Sequence, residues 1–166
     1  MAKIYVKYIF HKREQITGDE KQMRHRRSLA ALAVMLVLAL GAAQAEIYVP
    51  SYTYAAIDET NVERARYGLG TLRVDEELMA AARVRAGEIA QKFSHTRPDG
   101  TMWRTVSGAA YGENIARGHN NPDRVTAAWM SSNGHRQNIL KASYGSIGVA
   151  CVKEGNIYYW VQLFGK

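Results

Sequence analysis

The C-terminal segment, residues 145–166, reads GSIGVACVKEGNIYYWVQLFGK. In its first half the apolar residues Ile147, Val149 and Cys151 alternate with small or polar neighbours, which is typical of a β-strand. Its second half is rich in β-branched and aromatic residues, and Glu154-Gly155-Asn156 between the halves is typical of a turn. The segment therefore predicts a C-terminal β-hairpin.

Upstream of the hairpin, the most regular pattern is that of a long helix. Asp75 can cap its first turn, and apolar residues then recur at steps of three and four. These residues are Leu78, Ala82, Ala86, Ile89 and Phe93. The short stretch Leu72-Arg73-Val74 before this helix is predicted to be extended.

Three further segments are predicted to be helical. Residues 56–67 carry an apolar stripe that ends at Gly68 and Gly70. Asn121-Pro122-Asp123 places a capping side chain, a first-turn proline and a carboxylate at the start of the next helix. A short helix follows at 134–140. A hairpin cannot bury both faces alone, so the helices must cover the sheet, and the predicted fold class is α+β.

Charge is distributed unevenly along the chain. The 166 residues include 22 Lys and Arg against 15 Asp and Glu, a formal net charge of +7. Residues 1–45 hold eight of the basic and three of the acidic residues, which leaves 14 against 12 for residues 46–166. The later charges are interspersed, so the distribution excludes nucleic acid as a partner. With Cys151 as the single cysteine, an intrachain disulfide is also excluded.

The N-terminal part contains a complete export pattern. A basic stretch, Arg24-His25-Arg26-Arg27, precedes an apolar run over residues 29–40, and Ala43-Gln44-Ala45 follows. The apolar run is too short to cross about 30 Å of hydrocarbon comfortably, and small residues at Ala43 and Ala45 fit a signal-peptidase site. This pattern predicts a secretory signal peptide that is cleaved after Ala45.

These features divide the chain into four parts. Residues 1–22 are interpreted as a mis-assigned N-terminal extension before a true start at Met23, and residues 23–45 as the signal peptide. Residues 46–55 are interpreted as an extended arm and residues 56–166 as the folded domain. The protein is then secreted, to a periplasm or to the cell exterior, with no membrane anchor after cleavage. An uncleaved membrane anchor is the alternative.

Three residues in the predicted domain could form a chemical site. His95 follows the long helix, His135 begins a short one, and Glu113 lies between them beside the apolar Ile115. Two imidazoles and a carboxylate could begin a divalent-metal site with open water positions, or form a hydrogen-bonded His-Glu pair. The structural alternative is that His95 caps a turn, Glu113 accepts backbone N–H bonds and His135 starts a helix.

Six motifs follow one another in this chain. They are NVERARYGL (61–69), SHTRPDG (94–100), GENIA (112–116), WMSSNGHRQNIL (129–140), IGV (147–149) and YWVQLFG (159–165). In this order they resemble the bacterial, SCP-like branch of the CAP superfamily, which also contains cysteine-rich secretory proteins, insect venom antigen 5 and plant pathogenesis-related proteins. The resemblance implies a three-layer α-β-α sandwich, with about four helices around a small, mainly antiparallel sheet.

The resemblance also implies a ligand cleft built by His95, Glu113, Ser132 and His135. Related clefts contain two histidines and two acidic residues, and zinc or another divalent cation can sit between the histidines, here His95 and His135. Ser132 occupies the position of the second acidic residue, which should weaken a cation site. No organic cofactor is implied.

The functional expectation from this resemblance is a secreted binding module rather than an enzyme. Its ligand would be a peptide, a glycan or a lipid, with sterols as a subsidiary lipid class. The alternative is a hydrolase in which Glu113 is the catalytic residue that activates water while a metal ion or a histidine polarises a carbonyl. A third reading is a structural protein of the cell envelope.

Overall fold

The structure is a computed structural model that describes residues 47–166. Its helices are α1 (Pro50–Arg66), α2 (Glu76–Gln91), α3 (Pro122–Ser131) and α4 (Asn133–Ile139), with a 3-10 turn at Trp103–Val106. Its strands are β1 (Ile47–Tyr48), β2 (Arg73–Val74), β3 (Gly112–Arg117), β4 (Ser146–Glu154) and β5 (Ile157–Gly165). The four predicted helical segments and the C-terminal hairpin are therefore confirmed, except that α2 ends at Gln91 and the predicted stripe residue Phe93 lies beyond it, 44% exposed.

The hairpin β4–β5 forms the centre of the sheet. The strand order is β1-β4-β5-β3, and all of these pairs are antiparallel, while the short β2 pairs with β4 in parallel. Strand β3 lies at one edge, where Glu113 is opposite Leu163 and Asn114 is opposite Gln162. This strand was not predicted from the sequence.

Helices cover both faces of the sheet. On one face, Ala82, Ala86 and Ile89 of α2 belong to the same buried cluster as Ala150 of β4 and Val161 of β5. On the other face, a second buried cluster joins α1 and α3 to the strand residues whose side chains point away from α2. Its members include Ile57, Val125, Trp129, Ile147, Val149, Trp160 and Phe164. The predicted three-layer α-β-α sandwich is confirmed.

Helix α1 begins earlier than predicted, at Pro50, so the extended arm expected over 46–55 is wrong from Pro50 onward. Only Ile47–Tyr48 pairs as a strand, with β4. The proline favours the first turn of a helix because its φ is already helical. From that turn Tyr52 stacks on Trp160 at 5.9 Å between ring centroids, a tertiary contact that the local pattern could not reveal.

Polar residues of the first motif connect α1 to the rest of the domain. The Asn61 side chain donates to the Leu72 carbonyl (3.1 Å) and accepts from the Leu72 N–H (2.7 Å). The buried guanidinium of Arg64 donates to the carbonyls of Gly70 (2.8 Å) and Ile139 (2.7 Å). These residues satisfy backbone groups that would otherwise be buried without partners, so their role is structural.

Both predicted helix caps are present. The Asp75 carboxylate accepts from the Leu78 N–H at 2.9 Å, and the Asn121 side-chain oxygen accepts from the Arg124 N–H at 2.8 Å. Each bond satisfies a donor that the first helical turn leaves unpaired.

The predicted extension (1–22) and signal peptide (23–45) lie outside the described residues and stay predictions. Among the helices of residues 47–166, none has the length and apolar character needed to cross a membrane.

We expect Cys151 to resist thiol reagents in the native protein. Burial raises the pKa of its thiol to about 12, and only the thiolate is strongly nucleophilic. When a chromogenic disulfide reagent is added at mildly alkaline pH, the native chain should release a negligible amount of chromophore. In concentrated guanidinium the chromophore released should correspond to one thiol per chain, because the sequence has one cysteine. Rapid release from the native chain would contradict this burial.

Candidate functional site

His95 and Glu113 form a direct pair at the edge of the sheet. His95 lies in the loop after α2, and its Nδ1 is 3.0 Å from Oε1 of Glu113 on β3. The His95 side chain is 51% exposed, whereas the Glu113 side chain is 0% exposed. A carboxylate can only accept this hydrogen bond, so Nδ1 is the donor, and in the neutral form of the ring the Nε2 lone pair is left free.

Arg85 of α2 holds the other side of the Glu113 carboxylate. Its Nε lies 3.1 Å from Oε2 and its Nη2 lies 3.1 Å from Oε1. The same Nη2 donates to the carbonyl of Ser94 at 2.9 Å, directly before His95. Both Glu113 oxygens are therefore occupied, and the buried arginine also fixes the loop that carries His95.

The role of Arg85 was not predicted from the sequence, although the sequence contains an indication of it. It follows Ala82 by three residues and precedes Ile89 by four, so it lies within the apolar stripe of α2. A charged residue is rarely buried without a partner. An arginine in that stripe therefore indicates a buried carboxylate elsewhere in the chain, and Glu113 is that carboxylate.

A second carboxylate extends this ion-pair cluster toward the surface. Glu88 bonds Arg85, and it also accepts from Arg97 Nη2 at 2.7 Å. Burial lowers the pKa of Arg85, but hydrogen bonds and charges from Glu113 and Glu88 outweigh that effect and raise it. Burial would raise the pKa of Glu88, yet Arg97 and Arg85 hold it below its ordinary value. Glu88 and the two arginines are thus charged at neutral pH.

Asn114, the neighbour of Glu113, anchors the loop and helix of the second histidine. Its side-chain N–H donates to the His135 carbonyl (3.1 Å) and to Gln162 Oε1 (3.0 Å), and its oxygen accepts from Asn138 (2.9 Å). Successive residues of a strand point to opposite faces. Glu113 therefore fixes His95 from one face of β3, and Asn114 fixes His135 from the other.

The outer edge of β3 is covered by side-chain donors from α3 and α4. Asn138 donates to the Glu113 carbonyl at 3.1 Å, and the Trp129 indole N–H lies 3.4 Å from the Ile115 carbonyl. These contacts occupy acceptors that an added strand would need. A ligand at this edge must therefore be recognised mainly by side chains.

An open cleft of about 320 Å³ lies beside this edge. Its lining includes the predicted Ser132 and His135, together with Arg117 and His119, which were not predicted from the sequence. The apolar part of the lining comes from the residues Phe93, Ile115, Ala116, Ala128 and Trp129. The backbone carbonyl of His119 accepts a hydrogen bond from the Trp160 indole N–H at 2.8 Å, which holds its loop in place.

The four predicted cleft residues occupy different environments. Ser132 and His135 line the cleft, His95 is half exposed, and Glu113 lies beneath the surface. Burial lowers the pKa of His135, and the nearby His95 lowers it further, which favours a neutral His135 at pH 7. Glu113, expected in the ligand cleft, instead supports His95 from below because its partners Arg85 and β5 enclose it.

The side chains here that could hold a metal ion are the imidazoles of His95 and His135. Within residues 47–166, no group of three His, Cys, Asp or Glu side chains is arranged to hold an ion. Glu113 does not supply a third ligand, because both of its oxygens are bonded to Arg85 and His95. Two neutral nitrogen ligands fit an ion that keeps its remaining positions open to water or to a ligand.

Known proteins share this fold and part of this sequence. An uncharacterized protein of Bacillus subtilis, YkwD, is 39% identical over 124 residues, which cover 70% of this chain and 48% of that protein. The chain thus matches about half the length of that curated relative.

Two solved structures are similar as well. An extracellular protein from Bacillus anthracis that contains an SCP domain is 26% identical with a TM-score of 0.60, over 70% of this chain and 41% of that one. An outer surface protein from Borrelia burgdorferi is 22% identical with a TM-score of 0.63, over 74% of this chain and 98% of that one. The model of the CAP, or cysteine-rich secretory protein, family matches residues 57–164, and the chain belongs to that family.

Proposed function

We propose that this protein is an exported binding module in which His95 and His135 hold a divalent cation, zinc first among them, and present it to a ligand. The observation that carries the proposal is the bond of 3.0 Å between His95 Nδ1 and buried Glu113. A carboxylate behind a histidine fixes its tautomer and raises the basicity of the free nitrogen, as in many zinc sites. A bound ion would supply open Lewis-acid positions for a peptide, glycan or lipid oxygen.

The same geometry favours binding over hydrolysis. A general base must reach the proton of an attacking water. The Glu113 carboxylate is 0% exposed and is bonded to Arg85 and His95. Its place in the fold supports a positioning role for Glu113 and gives no support to the hydrolase alternative.

Export is part of the proposal. It is supported by the basic, apolar and small-residue pattern within residues 23–45. The related Bacillus anthracis protein is described as extracellular.

We expect zinc binding to depend on both predicted histidines. Calorimetric titration of the metal-free protein near pH 7.5 should give a saturable heat for the wild type. His95→Ala and His135→Ala should each weaken zinc binding by at least about 100-fold, because the loss of either imidazole leaves one protein ligand.

His119→Ala is the matched control, since His119 also lines the cleft but is not a proposed ligand. Its zinc affinity should stay within about twofold of the wild type, because side chains beyond the ligands and their partners contribute little. Equal heats for the wild type and the His95→Ala/His135→Ala double variant would refute the metal proposal.

A further inference from the structure

Every ionisable side chain that lines the cleft is basic. Arg117, His119 and His135 are the ionisable residues of the lining, and its other polar side chain is that of Ser132. The carboxylate of Glu113, which lies beneath the surface, is buried and paired with Arg85. The cleft therefore presents positive potential to a ligand, because the Arg117 guanidinium is charged at neutral pH and the lining contains no carboxylate.

Arg117 is the permanent charge in this lining. It ends β3, where its side chain follows Glu113 and Ile115 on the same face of the strand, and it is exposed. Within residues 47–166, Arg117 is absent from the ion pairs, which involve Arg66, Arg85 and Arg97. A free guanidinium at the rim of a pocket is suited to pair with an anion through two parallel hydrogen bonds.

The rest of the lining is apolar. Phe93 is 44% exposed at the margin and Ala128 is half-buried, whereas Ile115, Ala116 and Trp129 are almost fully buried and add only small patches of surface. At about 320 Å³ the cleft lies at the small end of ligand pockets, which run from about 300 to 1,000 Å³. This space suits one ring or one short aliphatic group with its polar end at the rim.

We infer that the cleft binds a carboxylate carried on a small apolar group, with Arg117 as the residue that selects the negative charge. The apolar group lies against Phe93 and Ala128, and the carboxylate pairs with the guanidinium. The inference rests on the proposed binding function, because His135 of the proposed metal site also lines this cleft, but it does not require the metal ion. Both a free carboxylic acid and the C-terminal residue of a peptide have this chemistry.

The test uses a matched pair of probes, 3-phenylpropanoate and its neutral amide, titrated into the full chain by NMR in the presence of EDTA. We expect the acid to bind at least about tenfold more tightly than the amide, since a charge-assisted pair is worth more than a neutral one. Resonances of the cleft residues should shift. Arg117→Gln should reduce acid binding to the level of the amide and leave amide binding unchanged.

Arg124→Gln is the control, because Arg124 is another exposed arginine that does not line the cleft. It should bind both probes as the wild type does. Equal binding of acid and amide, an unchanged acid affinity in Arg117→Gln, or no binding of the acid at millimolar concentration would each overturn the inference.

Two further titrations show whether the carboxylate comes from a free acid or from the C-terminus of a peptide. A tripeptide that ends in phenylalanine is compared with the same peptide amidated at its C-terminus. Tighter binding of the free-ended peptide than of 3-phenylpropanoate assigns the site to peptide C-termini, and the reverse assigns it to free acids. EDTA is present throughout, so failed zinc binding in the earlier titration leaves this result unaffected.

Discussion

Replacement of Arg85 by methionine is expected to lower the free energy of unfolding by about 3–5 kcal/mol, because removal of one partner of a buried pair leaves the other charge uncompensated. The Arg85 side chain is 1% exposed and that of Glu113 is 0% exposed. Methionine approximates the length of the arginine stem. The loss of stability therefore reflects mainly the removal of the guanidinium and less a change in side-chain volume. Urea unfolding at neutral pH measures the change.

Arg66→Met is the matched control. Arg66 also pairs with a glutamate three residues away, Glu63, at 2.6 Å, but its side chain is 66% exposed. An exposed pair of this kind contributes about 0–1 kcal/mol. If Arg85→Met destabilised the protein no more than Arg66→Met, the buried cluster would not stabilise the fold.

A double variant separates charge pairing from packing. With Glu113→Gln added to Arg85→Met, no unpaired carboxylate remains, so the double variant should lose less stability than the sum of the single variants. A strictly additive result would mean that the two side chains act independently. That would contradict the two hydrogen bonds between them.

The elements that were predicted correctly have local causes. The hairpin follows from alternation and a turn within residues 145–166, and the caps at Asp75 and Asn121 involve residues three positions away. The formation of strand β3 has no such local cause in the sequence. Its polar Glu113 and Asn114 are both buried, so the usual alternation of apolar and polar residues is absent.

The site was partly predictable for the same reason. His95, Ser132 and His135 stand in recognisable motifs, but the partners that fix them are distant in sequence. Arg85 meets Glu113 across 28 positions, and Asn114 meets the His135 carbonyl across 21. Such pairs depend on the packing of α2 and α4 against β3, which no local pattern encodes.

Gly148→Val is expected to abolish stable folding or to cost more than about 3 kcal/mol, the upper range for overpacking a core. Gly148 lies in β4 where α2 crosses the sheet, and a Cβ there would overlap the backbone of Leu78 and Met79. The obstacle is main chain of a capped helix, so no rotamer change can relieve it. The helix would have to move off the sheet, away from Ala150 and Val161.

Gly108→Val provides the comparison, because a Cβ at Gly108 meets nothing within 4 Å and its φ is not positive. Its effect should stay within about 0.5 kcal/mol, as for most surface substitutions. Thermal unfolding followed by circular dichroism distinguishes the two variants. A Gly148→Val protein that melts near the wild-type temperature would mean that α2 does not lie against β4 at Gly148. The position of Arg85 over Glu113 depends on the same packing, so that result would also remove the geometric basis of the His95 site.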